Sequence, residues 1–197
     1  MTAIRRRSFS APRPAVFFDR DGTLIHDRHY IKDPSEIELV PEASNAVRYL
    51  NYALVPVVVV TNQSGLARGL LTEEDYRRCE ERLDDMLAER NAFVDATYYC
   101  PHHPDFTGPC ACRKPGTALF EQAIKELALD PARCTYIGDR WHDIAVAKSL
   151  GGRGILVPSP STPPEEVERA KHELEVAPSL LAAVQTIIAI PTPDVLS

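Results

Sequence analysis

The stretch Asp19-Arg20-Asp21-Gly22-Thr23 constrains this chain more than any other, because two carboxylates stand two residues apart straight after the apolar run Ala15-Val16-Phe17-Phe18. That run reads as a buried strand. Paired carboxylates at the end of such a strand repel each other and are costly to bury without a partner. A hard divalent cation such as Mg²⁺ compensates them, since carboxylate and carbonyl oxygens suit it. With the cation in place, one carboxylate can attack a phosphoryl group while the other handles the proton. Gly22 lets the chain turn sharply away from the strand end. In isolation the stretch also reads as an Asp-rich turn closing a strand.

Elsewhere, short β-rich runs alternate with amphipathic ones. Strands are predicted over Ala15–Phe18, Val57–Val60, Asp95–Tyr99, Thr135–Ile137 and Gly154–Val157, and helices over Glu42–Asn51, Glu73–Arg90, Ala118–Leu127 and His142–Leu150. In the second helix Tyr76, Cys79, Leu83, Met86 and Leu87 share one face, and Thr72 with Asp75 can cap its start. Pro158 to Pro164 reads as a linker, Glu165 to Glu175 as an exposed helix and Pro178 to Ile190 as a last packed one. The alternation predicts an α/β fold, a Rossmann-like parallel sheet with helices on both faces. Ligands of such sheets bind beyond the carboxyl ends of the strands, where Asp19, Thr61 and Asp139 would meet. One domain is expected over residues 15–190, between a basic flexible tail over 1–14 and a loose tail over 191–197. The gap from Thr23 to Glu42 and the loop from Cys100 to Lys114 are the only candidate covers for the site, so a large cap domain is not expected.

Cys100, His102, Cys110 and Cys112 form a Cys-x-His-x7-Cys-x-Cys array. Three thiolates and one imidazole complete a tetrahedral Zn²⁺ site of the closed, structural kind. Its job would be to fix the loop carrying Arg113 and Lys114. Disulfides suit a cytosolic chain poorly and would leave one of the five cysteines odd. Cys79 and Cys134 fall in helix and strand patterns and read as buried apolar residues. His103 could substitute as a ligand, but reads rather as exposed or substrate-facing.

The first motif resembles that of the haloacid dehalogenase superfamily of phosphatases. Three later segments resemble the same superfamily in the expected order: Thr61-Asn62-Gln63-Ser64-Gly65 after a β-branched run, Arg113-Lys114-Pro115, and Gly138-Asp139-Arg140 after Cys134–Ile137. The wording of FFDRDGTLI, VVTNQSGLARG, YYCPHHP, CACRKPG and YIGD is similar to the branch that holds heptose bisphosphate and histidinol-phosphate phosphatases, over about Ala15 to Val157. His29 stands where that branch commonly has glycine, and Arg140-Trp141-His142 replaces its usual Lys-Leu-Glu. The resemblance implies Asp19 as nucleophile and Asp21 as acid and base. It implies Mg²⁺ on the Asp19 side chain, the Asp21 carbonyl and the Asp139 side chain. Thr61 and Asn62, with Gln63 beside them, would hold the phosphoryl oxygens, Lys114 would neutralise charge, and Arg113 would hold a phosphate or sugar hydroxyls. Without the resemblance, a Thr-Asn pair is a turn or cap and Arg113-Lys114 a solvated pair. Asp143 reads equally as a group facing the site or supporting Lys114 and as an exposed Asp at a helix start.

The net charge of −6 argues against a general nucleic-acid binder. The first fourteen residues hold Arg5, Arg6, Arg7 and Arg13 and no acid, which leaves the remainder at −10. No apolar stretch approaches the roughly 20 residues of a membrane span, and the N-terminal segment lacks the apolar core of a secretory signal. A cytoplasmic monomer is expected, free of nucleic acid and membrane, acting on a small phosphorylated sugar. The expected substrate is a heptose 1,7-bisphosphate cut at position 7. Rival expectations are a histidinol-phosphate phosphatase, a phosphatase of nucleic-acid ends, and a zinc-stabilised binding module with a vestigial site.

Overall fold

The computed structural model describes Ile4, Arg5 and residues 11–188. Its seven strands, β1 Ile4–Arg5, β2 Val16–Phe18, β3 Val57–Asn62, β4 Ala96–Cys100, β5 Thr135–Gly138, β6 Arg153–Leu156 and β7 Glu175–Val176, form one sheet in the order β1-β4-β3-β2-β5-β6-β7. The six strands from β2 onward are parallel, and β1 joins the edge antiparallel to β4. The segment expected as a flexible tail thus contributes a short edge strand. The expected tail over 191–197 and the end of the last expected helix lie outside the described residues.

The central strands are buried on both faces, which is why they read as continuous apolar runs. Val16, Phe18, Val57 and Val59 pack on one side against α1 (Ala43–Tyr52), α2 (Glu73–Ala88) and α8 (Leu180–Gln185), through Leu50, Leu83, Leu87 and Val184. Phe17, Val58 and Val60 point the other way, toward Leu119, Phe120 and Leu127 of α4 (Ala118–Leu127). There Phe17 stacks on Tyr136 at 5.2 Å and tilts against Phe120 at 5.4 Å. Each such large apolar side chain contributes roughly 1.5–3 kcal/mol when fully buried.

Chain order runs outward from β2 in both directions, through β3 and β4 on one side and β5 to β7 on the other. The order therefore reverses between β2 and β5, and a crevice opens beyond their carboxyl ends. Two departures from expectation matter there. The helix expected over His142–Leu150 is two short ones, α5 (Trp141–Ile144) and α6 (Ala147–Leu150). Between them the backbone stays right-handed, but hydrogen bonds such as Lys148 N to Ala145 O and Ser149 N to Val146 O tighten to i→i−3 and interrupt the ladder. The loop after β4 carries an unexpected single turn, α3 (Pro104–Thr107). The exposed helix before β7 is α7 (Pro164–Glu173). Among the described residues, no helix is long and apolar enough to cross a membrane.

Candidate active site

Asp19 is the first residue past β2, and its amide donates to Ile137 O of β5 at 2.9 Å, which anchors it at the crossover. Its Oδ1 lies 2.5 Å from Lys114 Nζ. Lys114 is 4 % exposed, and its ammonium also contacts Asp143 Oδ1 at 2.6 Å and donates to Val60 O at 2.7 Å. Three residues distant in sequence therefore meet at one buried cation. Burial works against the charge of Lys114, yet Asp143 and Asp19 outweigh it and hold the ammonium above its ordinary pKa. Burial pushes the Asp19 carboxyl well up against the pull of Lys114, with Asp143, Asp21 and Asp139 adding to the rise. For Asp143 burial is overcome, mainly by Lys114, and the group is held below the usual carboxylate range. Of the two readings open for Asp143, the exposed helix-start residue is wrong: the side chain is buried, contacts Lys114 and accepts from Arg140 N at 3.0 Å.

Asp21 sits in a cradle of donors. Gln63 Nε2 donates to its Oδ2 at 2.7 Å and Thr61 Oγ1 approaches the same oxygen at 3.5 Å. Arg20 forks onto both oxygens, Nε to Oδ2 at 3.0 Å and Nη2 to Oδ1 at 3.1 Å. The Asn62 side chain holds the Lys114 backbone, accepting from its amide at 3.0 Å and donating to its carbonyl at 3.4 Å. The Gln63 amide is engaged by Asp21 and by Thr61 Oγ1 at 2.9 Å. Both side chains therefore have partners within the protein as well as their place beside the site.

Asp139 follows β5 and faces Asp19 across the crevice. Ser159 Oγ donates to its Oδ2 at 2.7 Å, while Oδ1 is buried and has no hydrogen-bond partner among the described residues. Burial lifts this carboxyl to about 6, partly offset by the Ser159 bond. Gly22 makes the approach possible. Its φ is +84°, and a Cβ there would come within 2.5 Å of Asp139 Oδ2. Oxygens of Asp19, Asp139 and Asp143 lie within 4.8 Å of one another. An orphaned buried carboxylate oxygen among crowded carboxylates with one lysine fits a hard divalent cation, with Asp19 and Asp139 the groups best free to hold it.

The cysteine loop is equally specific. Cys112 Sγ lies 3.1 Å from Cys100 Sγ and 3.4 Å from Cys110 Sγ, Cys100 and Cys110 are 3.7 Å apart, and His102 Nδ1 is 3.2 Å from Cys112 and 3.8 Å from Cys100. The sulfurs are too far apart for disulfide bonds. Four ligands on a tetrahedral Zn²⁺ with bonds of about 2.0–2.3 Å would stand about 3.5–3.7 Å from one another, close to these separations. His103 is not part of this set; its Nε2 lies 2.7 Å from Arg68 Nη2. Cys79 and Cys134 are buried, with both thiols raised to about 11 by burial.

The site opens into a cleft of about 170 Å³ whose lining adds Asp27, Arg140 and His142 to Asp19, Asp21, Thr61, Asn62, Arg113 and Asp139. Sequence reading missed Arg20, Ser159, Asp27, Arg140 and His142 as parts of the site. Glu80, which backs Arg20 at 2.7 Å, was also missed, although a Glu on the apolar face of α2 was a legible signal.

A carboxylate paired with a buried lysine, a second carboxylate in a donor cradle and an Asp with a bare buried oxygen, all at the switch point of a parallel sheet, form the arrangement expected of a haloacid dehalogenase-type phosphatase. Residues 111–183 match the family model described as HAD-hydrolase-like. The chain is 39 % identical over 144 residues to the D-glycero-beta-D-manno-heptose-1,7-bisphosphate 7-phosphatase of Haemophilus ducreyi, covering 71 % of this chain and 79 % of that one. It is 36 % identical over 179 residues to the enzyme of the same name from Escherichia coli strain CFT073, covering 87 % and 94 %. Among solved structures, the D,D-heptose 1,7-bisphosphate phosphatase of B. bronchiseptica, complexed with magnesium and phosphate, superposes with a TM-score of 0.80 at 29 % identity, covering 88 % of this chain and 97 % of that one. The chain belongs to the heptose-1,7-bisphosphate 7-phosphatase family, and it is a phosphoric monoester hydrolase.

Proposed function

We propose that this protein hydrolyses the 7-phosphate of D-glycero-D-manno-heptose 1,7-bisphosphate through an aspartyl-phosphate on Asp19. The observation that carries the chemistry is the meeting of Asp19, Lys114 and the bare Asp139 Oδ1 at one sheet edge. The substrate reading rests on the relatives named above. An Asp19 oxygen attacks phosphorus, and the bond to the sugar oxygen breaks as Asp21 gives that oxygen a proton. Asp21, now ionised, takes a proton from water as the water oxygen bonds to phosphorus and Asp19 is released. Lys114 keeps the nucleophile oriented and offsets negative charge. The Asp19 and Asp139 side chains, with the Asp21 carbonyl, would hold Mg²⁺, which would supply Lewis-acid stabilisation of the phosphoryl oxygens.

Arg113 lines the cleft, and its Nη1 lies 3.4 Å from His102 O, so the cysteine loop sets its reach. Its fork suits the sugar hydroxyls or the second phosphate. Zn²⁺ on Cys100, His102, Cys110 and Cys112 would lock that loop. The test is phosphate release from both anomers of the heptose bisphosphate and from histidinol phosphate, with NMR locating the phosphate lost. Loss from position 7, with a preference for a heptose anomer, supports the reading. A preference for histidinol phosphate overturns the substrate and leaves the chemistry standing.

A further inference from the structure

Arg20 lies between the two motif carboxylates and is 2 % exposed. Taking a guanidinium out of water is expensive, and one carboxylate suffices to neutralise it. Arg20 has two. Nη1 donates to Glu80 Oε1 at 2.7 Å, while Nε and Nη2 fork onto Asp21. Glu80 is itself buried, and the guanidinium also lies 5.3 Å from the centre of the Tyr76 ring. Tyr76 packs on Tyr99 at 4.4 Å, and Tyr99 Oη donates to Glu73 Oε2 at 2.6 Å. The planar fork is therefore held at both ends, by α2 on one side and by Asp21 on the other.

A purely structural arginine needs Glu80 alone. The second pair instead fixes the plane of the Asp21 carboxyl, whose side chain is 24 % exposed. The donors are shared unequally between its oxygens. Oδ2 accepts from Arg20 Nε and Gln63 Nε2, with Thr61 Oγ1 at 3.5 Å, so its lone pairs are filled. Among the described residues the only donor to Oδ1 is Arg20 Nη2 at 3.1 Å, which also lies 3.0 Å from Oδ2, so Oδ1 keeps a lone pair open.

We infer that Arg20, braced by Glu80, is a positioning residue for Asp21, and that Asp21 Oδ1 is the oxygen that gives and takes the proton. The inference rests on the reading of Asp21 as acid and base. In that reading Oδ1 is the oxygen through which a proton reaches the sugar oxygen as its bond to phosphorus breaks, and the one that takes a proton from water as the water oxygen bonds to phosphorus and the acyl-phosphate bond to Asp19 breaks. The Arg20 contacts persist through both steps.

The test compares wild type with Asp21→Asn, Arg20→Lys and Glu80→Gln on an alkyl ester, the heptose bisphosphate, and on p-nitrophenyl phosphate. An aryl oxide leaves without a proton, so only the second step on that substrate needs Asp21. Arg20→Lys is expected to lose about 100-fold in kcat/KM on the alkyl ester and less than about fivefold on the aryl ester, within the range of general acid–base effects. The aryl ester should also show a burst of nitrophenol followed by slow turnover, as the phospho-enzyme accumulates. Glu80→Gln, which keeps the fold of α2 and one acceptor oxygen, should show the same split at smaller size. It also carries the test if Arg20→Lys does not fold. If Asp21→Asn lacks the split, the acid–base reading fails and the inference falls with it. If Asp21→Asn shows the split while the tested Arg20 and Glu80 variants lose both substrates equally, or lose neither, Arg20 is structural and the inference is overturned.

Discussion

Replacing Lys114 with Met removes the one cation that three acceptors share while keeping most of the volume. Asp19 Oδ1, Asp143 Oδ1 and Val60 O lie 2.5, 2.6 and 2.7 Å from the ammonium, and all are deprived together. Breaking a buried ion pair by removing one partner costs about 3–5 kcal/mol, because an uncompensated charge is left behind. In a protein of this size each kcal/mol shifts Tm by about 2–4 °C, so a fall of about 6–20 °C is expected in metal-free protein at about pH 8. The pH dependence has a definite sign. In the wild type, Asp143 is held low despite its burial, chiefly by Lys114, so its stabilisation is complete above the ordinary carboxylate range and is lost as pH falls through the lowered value. In Lys114→Met, burial, the largest influence on Asp143, is opposed only by the weaker His142 and Arg140 amide contacts and raises that carboxyl, so the folded variant binds more protons than its unfolded chain and gains stability as pH falls. The Tm gap to wild type should therefore narrow toward about pH 5. Thermal melts at the two pH values measure this, with Lys114→Met/Asp143→Asn as a partner variant expected to recover at least about 1 kcal/mol. A gap below about 2 °C at the higher pH, or one that widens on acidification, would refute the reasoning.

Three further outcomes are expected. Gly22→Ala places a methyl 2.5 Å from Asp139 Oδ2 at a φ of +84°, so calorimetric Mg²⁺ titration should show weaker binding and kcat/KM should fall about 100-fold, as for a misplacement of about 1 Å. Because burial lifts Asp139 to about 6, Mg²⁺ should raise Tm more at about pH 8, where that carboxyl is ionised, than at about pH 5. Protein purified without chelator should carry about one Zn²⁺ per chain, and Cys110→Ala should lose it and speed proteolysis between Cys100 and Lys114; unchanged proteolysis would mean that the loop is held by something else.

The parts of this molecule legible in the sequence are those that obey a local period. Val57–Val60 was a readable strand because both its faces are apolar, and α4 matched its expected bounds because its apolar stripe is regular. The capping box of α2 formed as expected, with Asp75 N donating to Thr72 Oγ1 and Thr72 N to Asp75 Oδ2. β7 left no signal, since Glu175 and Val176 gain their pairing only from β6. The break between α5 and α6 was also hidden. No Gly or Pro in that run marks where the bonds tighten to i→i−3 at Ala145 and Val146.

In the site, Asp19 and Asp21 were legible because paired carboxylates are chemically improbable at a strand end, and Arg113, Lys114 and Asp139 through the family resemblance, whereas their division of labour was not. Nothing local shows that Asn62 would clamp the Lys114 backbone or that Gln63 would hold Asp21, because those contacts join segments 52 and 42 residues apart. Ser159 was hidden in a Pro-rich linker, and its role appears only where the linker folds back over Asp139. Glu80 was the exception, a charge on an apolar helix face whose partner lay 60 residues away.

The central claim is that phosphoryl transfer passes through Asp19. A single turnover of the heptose bisphosphate, quenched in acid within the first half-life and followed by peptide mass spectrometry, tests it most directly. The account predicts one phosphoryl group on the peptide containing Asp19, absent from Asp19→Asn, which should keep its fold and lose turnover; whatever phospho-enzyme forms in Asp21→Asn, where the alkyl leaving group lacks its proton donor, should persist longer. A phosphoryl group on any other residue, or turnover near the wild-type rate in Asp19→Asn, would contradict it.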